Sequence, residues 1–214
     1  QELKPEQSRC TLGSPVEHIL ARHEQGAAFI AQGIARRTGK AAVCLATSGP
    51  GTTNLLTAIA DAKADSVPLI AITGQVSRNH IGTDAFQEVD TFGLTLPICK
   101  HNFHVDSVEH LLEVIPRAFQ IAEGGRPGPV VIDIPKDIQN ETIELNALPD
   151  LPTSATANEI ASHDIQKVVE MISSANRPLI LAGGGIQAAG AADSLTQLAE
   201  RMEIPVTTTL MGLG

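Results

Sequence analysis

A carboxylate at the start of an alanine-rich helical stretch, Arg22-His23-Glu24-Gln25-Gly26-Ala27-Ala28, opens the part of the chain that could do chemistry. Alone, Glu24 reads as a first-turn acid, favoured at a helix N-terminus by the aligned peptide dipoles. Four further strings keep it company: Ala46-Thr47-Ser48-Gly49-Pro50-Gly51-Thr52-Thr53-Asn54, Ile72-Thr73-Gly74-Gln75, Ile81-Gly82-Thr83-Asp84-Ala85-Phe86-Gln87-Glu88 and Gly125-Arg126-Pro127-Gly128-Pro129-Val130. Glycine turns before helices expose backbone N–H groups, so Ser48–Gly51 has the form of a phosphate cradle. It lacks the lysine of a P-loop, and Ser48 lacks the G-x-S-x-G frame of a nucleophile elbow. It reads instead as a place of close backbone packing. Gly183-Gly184-Gly185-Ile186-Gln187-Ala188 matches G-x-G-x-x-A between a strand and a helix, the form of a dinucleotide-binding turn, but no acidic ribose partner follows at the next strand's end. Phe86 and Gln87 place an aromatic beside an amide, which could orient a small oxo acid; the plain alternative is loop core and solvent. His23-Glu24 lacks the second histidine of H-E-x-x-H, and His101 and His104 sit in a strand pattern, so all three read as structural.

These residues need elements to hold them. The pattern predicts a helix over 24–37 stopped by Gly39, a strand over 42–46, a helix over 52–64 and a strand over 67–73. A long loop from Gly74 to Pro97, broken by a helical turn, follows; loops of such length in compact domains usually carry function. A strand near 98–105 leads to a helix with Asp106 as N-cap and Glu109 as its capping-box partner. Val108, Leu111, Leu112, Ile115, Phe119 and Ala122 mark its apolar face, and Pro116 should kink it. Residues 129–134 form another strand, closed by Pro135. After a Pro/Ser/Thr-rich stretch, a helix through Ile165, Val168, Val169 and Ile172, a strand over 178–182, a helix over 191–202 and a strand from Pro205 to Thr209 begin a second unit. Strands apolar throughout and alternating with helices define an α/β fold with a parallel sheet covered on both faces.

Composition narrows the function. The 214 residues carry a net charge of −9 with no Lys/Arg cluster, and Trp and Tyr are absent, so nucleic acid is not expected as a partner. No apolar run approaches the ~20 residues of a membrane span, and the polar start holds no signal-peptide core. Cys10, Cys44 and Cys99 are scattered, without metal or disulfide spacing, and fit a reducing, cytoplasmic setting.

In their order and spacing, the Glu24, Ser48–Asn54, Gly74-Gln75, Gly82–Glu88 and Gly125–Val130 strings resemble the thiamine-diphosphate enzymes of the acetolactate synthase family, from about Ser14 to the end. The resemblance implies residues 1–13 as an unassigned leader, 14–145 as an N-terminally incomplete pyrimidine-binding domain, 146–158 as a linker and 159–214 as the truncated start of a central, FAD-binding-like domain. It implies an inactive isolated fragment of an enzyme that decarboxylates pyruvate and passes the two-carbon unit to a second 2-keto acid in branched-chain amino-acid biosynthesis. Glu24 would hydrogen-bond the cofactor's pyrimidine N1′ and favour its imino tautomer, a task for a group that can share a proton. Pro50, Gly51, Asn54, Gly74 and Gln75 would lie near thiamine diphosphate. Phe86 and Gln87 would approach the substrate across a subunit interface, Gln87 with a catalytic part. Gly183, Gly184, Gly185, Thr209, Leu210 and Met211 fall on FAD-contact positions, although Leu94–Pro97 lacks an arginine that some members place near the flavin. Mg2+ would be held by a C-terminal domain outside this chain. A homo-oligomer and a regulatory small subunit are the implied partners. The rival readings are another enzyme of the superfamily, such as pyruvate oxidase or glyoxylate carboligase, or a non-catalytic nucleotide-binding module. Glyoxylate carboligase lacks the catalytic glutamate, so Glu24 speaks against it.

Overall fold

A computed structural model describes residues 18–144 and 160–213. The expected leader 1–13 and linker 146–158, and Cys10, lie outside the described residues. The chain divides into two compact units at residues 155/156.

In the first unit the elements run α1 (Glu24–Thr38), β1 (Ala42–Ala46), α2 (Pro50–Ala64), β2 (Leu69–Gln75), α3 (Thr91–Thr95), β3 (His101–His104), α4 (Val108–Glu123), β4 (Pro129–Pro135) and α5 (Lys136–Gln139). The four strands form one parallel sheet in the order β1-β2-β4-β3. Continuous apolar strands need cover on both faces. On one face α1 and α2 pack Ala28, Ala31, Leu55 and Ile59 against Leu69, Ala71 and Val131; on the other α4 and α5 pack Val114, Ala118 and Ile138 against Ile70, Val130 and Ile132. The expected two-sided cover is incomplete at β1. Val43 and Leu45, on the face away from α1 and α2, are exposed, because α4 packs chiefly over β2, β3 and β4.

Several boundaries differ from expectation. β2 extends to Gln75, so Gly74 and Gln75 are its last residues and not the start of the loop; register with Ile134 and Pro135 of β4 holds them in the sheet. α4 is capped by Ser107, whose Oγ accepts from His110 N at 3.1 Å, and not by Asp106, whose carboxylate meets His110 Nδ1 at 2.9 Å. α4 continues through Pro116 as one helix of 16 residues. Its C-terminal carbonyls of Ile121 and Gly124 accept from Lys100 Nζ, a cation placed where the helix dipole favours it.

The second unit holds α6 (Ser162–Ser174), β5 (Ile180–Ala182), α7 (Gly185–Ala188), α8 (Ala192–Met202) and β6 (Val206–Thr208), with β5 and β6 paired in parallel. A short α7 after the glycine turn was not expected, and Thr209 lies beyond the strand. Among its described residues only Ala182 and Ile204 are buried apolar side chains. No helix among the described residues is long and apolar enough to cross a membrane.

Candidate active site

The N-termini of α1 and α2 lie side by side. Contacts step forward along both helices together: Glu24 meets Asn54, Gln32 Nε2 donates to the Ala58 carbonyl at 2.5 Å, and Arg36 pairs with Asp65 at 2.7 Å. Small residues on the α1 face, Ala28, Ala31 and Ala35, permit this approach. Because α2 leaves the end of β1 and α1 runs back to its start, both N-termini stand at the carboxyl edge of the sheet, where ligands of open α/β sheets bind.

His23 caps α1, its Nδ1 accepting from Gln25 N at 3.1 Å, which leaves Glu24 as the first helical residue, half-buried. Glu24 Oε2 accepts from Asn54 Nδ2 at 3.0 Å. That bond, followed by the residue's own backbone N–H, holds the Glu24 carboxyl below its ordinary value of 4.5. Pro50 and Gly51 form the first turn of α2 beside it.

A cleft of about 520 Å³ opens at the same edge, between the ends of β1, β2 and β4. Its volume lies in the range of small-molecule sites. Gly74, Gln75 and Gln87 line it. Glu24, Pro50, Gly51, Asn54 and Phe86 do not. Ser48, from the glycine turn already singled out, also lines it, as do Lys136 and Gln139, which the sequence did not single out. Lys136 brings an ammonium suited to a carboxylate, and its place directly after the strand-ending Pro135 was the available signal.

Gln75 faces inward. Its Nε2 donates to the Val89 carbonyl at 2.9 Å and to Asp133 Oδ2 at 3.1 Å, while Thr73 Oγ1 donates to Asp133 Oδ1 at 2.6 Å. Burial pushes the Asp133 carboxyl up from 3.8, against these hydrogen bonds and the His104 ring 3.6 Å away. This clasp joins the two ends of the loop that carries Phe86 and Gln87. Arg78, near the start of the loop, pairs with Asp137 at 2.6 Å and Glu141 at 2.8 Å. At the tip, the Glu88 carboxylate accepts from the backbone N–H groups of Gly82, Ala85 and Thr83. Phe86 is 89% exposed.

Gly49 joins loop and helix. Its φ is +59°, and a Cβ there would stand 2.7 Å from the Gln87 carbonyl oxygen, so only glycine fits. Within the chain, the Ser48–Gly51 turn packs closely on the Gln87 backbone.

In the second unit, the turn Gly183–Gly185 lies against the segment after β6. Thr209 N donates to the Ala182 carbonyl at 2.9 Å, and a Cβ on Gly184 would come within 3.1 Å of Met211. The fold therefore brings Gly183, Gly184 and Gly185 together with Thr209 and Met211, while Leu210 is 83% exposed.

Residues 8–94 match the N-terminal TPP binding domain of thiamine pyrophosphate enzymes, and residues 165–214 match the central domain of the same enzymes. The chain belongs to the thiamine pyrophosphate enzyme family. Within it, the chain is 55% identical over 199 residues to the acetolactate synthase isozyme 1 large subunit of Escherichia coli (strain K12), a match covering 93% of this chain and 35% of that protein. It is 50% identical over 212 residues to an acetolactate synthase of Arthrospira platensis, covering 96% of this chain and 36% of the relative. For the acetolactate synthase large subunit of Corynebacterium glutamicum the identity is 49% over 201 residues, covering 93% and 32%. The chain thus spans about a third of the length of these relatives.

Proposed function

We propose that this chain is the pyrimidine-binding unit and the opening of the central unit of an acetolactate synthase catalytic subunit. The reaction decarboxylates pyruvate, releasing CO2, and joins the remaining two-carbon unit to a second 2-keto acid, a transferase step leading to isoleucine and valine. Thiamine diphosphate, when bound, supplies the carbanion chemistry at its thiazolium C2. The observation that carries this reading is Glu24, a carboxylate held by Asn54 where two adjacent helix N-termini meet at the carboxyl edge of the sheet. Glu24 holds or gives a proton at the cofactor's pyrimidine N1′, and Asn54 orients its carboxylate. Pro50 and Gly51 border the ring, and Gly74, next to the end of β2, brings no side chain to the cleft.

Phe86 and Gln87 face the 2-keto acid, and Lys136 offers its carboxylate a cation. The exposure of Phe86 supports an active site completed by a second copy of the chain. Mg2+ belongs to a diphosphate-binding domain of the parent subunit. FAD is assigned to the Gly183–Gly185 turn with Thr209, Leu210 and Met211, and a regulatory small subunit is the further partner, in keeping with relatives named large subunits.

In the full-length subunit, Glu24→Gln keeps size and hydrogen bonding but cannot exchange the proton. Turnover and C2 proton exchange, followed by NMR in deuterated buffer, should fall together by roughly 10²–10⁴, the usual worth of a positioned acid–base group. Cofactor affinity should change little, because its charged anchor lies elsewhere. A variant with wild-type exchange and turnover would make Glu24 a helix-end acid only.

A further inference from the structure

The tip of the loop between β2 and α3 is built around one carboxylate. Glu88 gathers three backbone N–H groups, Ala85 at 2.9 Å, Thr83 at 3.3 Å and Gly82 closer still, and its own N–H donates to the Ala85 carbonyl at 2.9 Å. Charge-assisted bonds of this kind are the stronger class. They hold the carboxyl below its ordinary value, Gly82 contributing most. Two non-glycine residues in the same turn are left-handed, Asp84 at φ +55° and Gln87 at φ +61°. Such conformations persist only where the surroundings over-determine them. Two constraints act on Gln87: the Glu88 knot on one side and, on the other, the backbone seat against Gly49. Together they set Gln87 at the cleft lined by Ser48, Gly74 and Lys136.

We propose that Glu88 is a positioning residue for 2-keto acid recognition: by tying the backbone of 82–85 it fixes the left-handed turn that presents Gln87 to the cleft. This rests on the assignment of Gln87 to the substrate. Without the Glu88 carboxylate the three N–H groups turn to water, Gln87 relaxes to an ordinary conformation, and its amide leaves the lining. The fold is left intact, since the loop's base is held separately by Gln75, Asp133 and Arg78.

The test is steady-state kinetics of the full-length subunit with pyruvate for Glu88→Ala, Glu88→Gln, Gln87→Ala and the Glu88→Ala/Gln87→Ala pair, with melting temperature and thiamine diphosphate affinity measured in parallel. Glu88→Ala is expected to raise KM for pyruvate about tenfold, with kcat changed less than threefold and melting temperature and cofactor affinity held. Glu88→Gln, which keeps one acceptor oxygen, should recover part of the loss. The pair should be no worse than the poorer single variant, because coupled residues are non-additive. If Gln87→Ala raises KM and Glu88→Ala does not, the positioning role is overturned and the substrate assignment stands. If Gln87→Ala leaves KM unchanged, the substrate assignment fails and the inference with it. A Glu88→Ala variant that melts early and loses cofactor and turnover alike shows a purely structural knot and also overturns it.

Discussion

Asn54 contributes most to the electrostatic state of Glu24. The Asn54 donor is the largest influence lowering its carboxyl, ahead of the local backbone and against a desolvation that would raise it. Asn54→Ala should therefore move the Glu24 titration upward, toward 4.5. Carboxyl chemical shifts of labelled glutamate followed against pH would report it, and an unmoved or lowered midpoint would contradict the hydrogen bond's role. The same sign logic applies to Glu88 and Asp137, both lowered in the fold, Glu88 chiefly by the Gly82 N–H and Asp137 chiefly by Arg78. A group with a depressed folded pKa contributes stability that is complete above its unfolded pKa and is lost as pH falls through the folded value. Asp133 acts in the opposite sense, since burial raises it. Acid unfolding should thus begin below about pH 4.5, the ordinary glutamate value, and Glu88→Gln should flatten the pH dependence of stability in that window. Cys44, whose thiol burial pushes up to about 12, should resist alkylation in the native protein at neutral pH.

At the scale of elements, the contact between Gly49 and Gln87 ties the β1–α2 turn to the substrate-facing loop. Gly49→Ala forces a side chain onto the Gln87 carbonyl at a positive φ. It should cost at least ~1 kcal/mol, the order for a side chain in a sparsely allowed conformation, and should displace the loop. Chemical denaturation together with amide shifts over 82–88 would check both. Leu55→Ala, at a fully buried α2 position, should cost about 2–5 kcal/mol and leave those shifts in place. How legible these elements were depended on range. β1 was bounded correctly because its apolar run is punctuated by Lys40 before it and Thr47-Ser48 after it. The end of β2 was misplaced because Gly74 is a turn residue by type, and what keeps it extended is the pairing with Ile134 on a strand 60 residues further on. Asp106 and Ser107 are both capping residues, and the choice was made by His110, which engages Asp106 through its ring and Ser107 through its N–H. The Arg22–Ala28 string is local and marks Glu24, but the Asn54 amide that holds its carboxylate comes from 30 residues further on and was not legible there. The Asp133 clasp was not legible either, since its partners Thr73, Gln75 and His104 come from two other strands. The Glu88 knot was visible only as a string of residues until the backbone showed where its N–H groups point.

The molecule as a whole presents an inverted helix. α1 turns its small side chains, Ala28, Ala31 and Ala35, toward α2 and leaves Phe29, Ile30 and Ile34 exposed, the last two at 45% and 46%. A surface helix ordinarily shows charge to water and its larger apolar groups to the core. The reversal marks a face meant for cover, since soluble chains rarely expose contiguous apolar surface without a partner. Phe86, Phe92, Leu94 and Leu96, exposed in the loop and around α3, add to the uncovered apolar surface of the same unit. The 214-residue chain is therefore expected to self-associate through α1 at micromolar concentration. Sedimentation velocity across a concentration series measures this, and Ile30→Glu with Ile34→Glu should drive the chain to monomer. Far-ultraviolet circular dichroism should stay unchanged, because neither side chain belongs to the core. A monomer at all concentrations would contradict the cover this face calls for. Association that survives both substitutions would move the contact from α1 to another exposed apolar row, such as Ile165, Val168 and Val169 of α6.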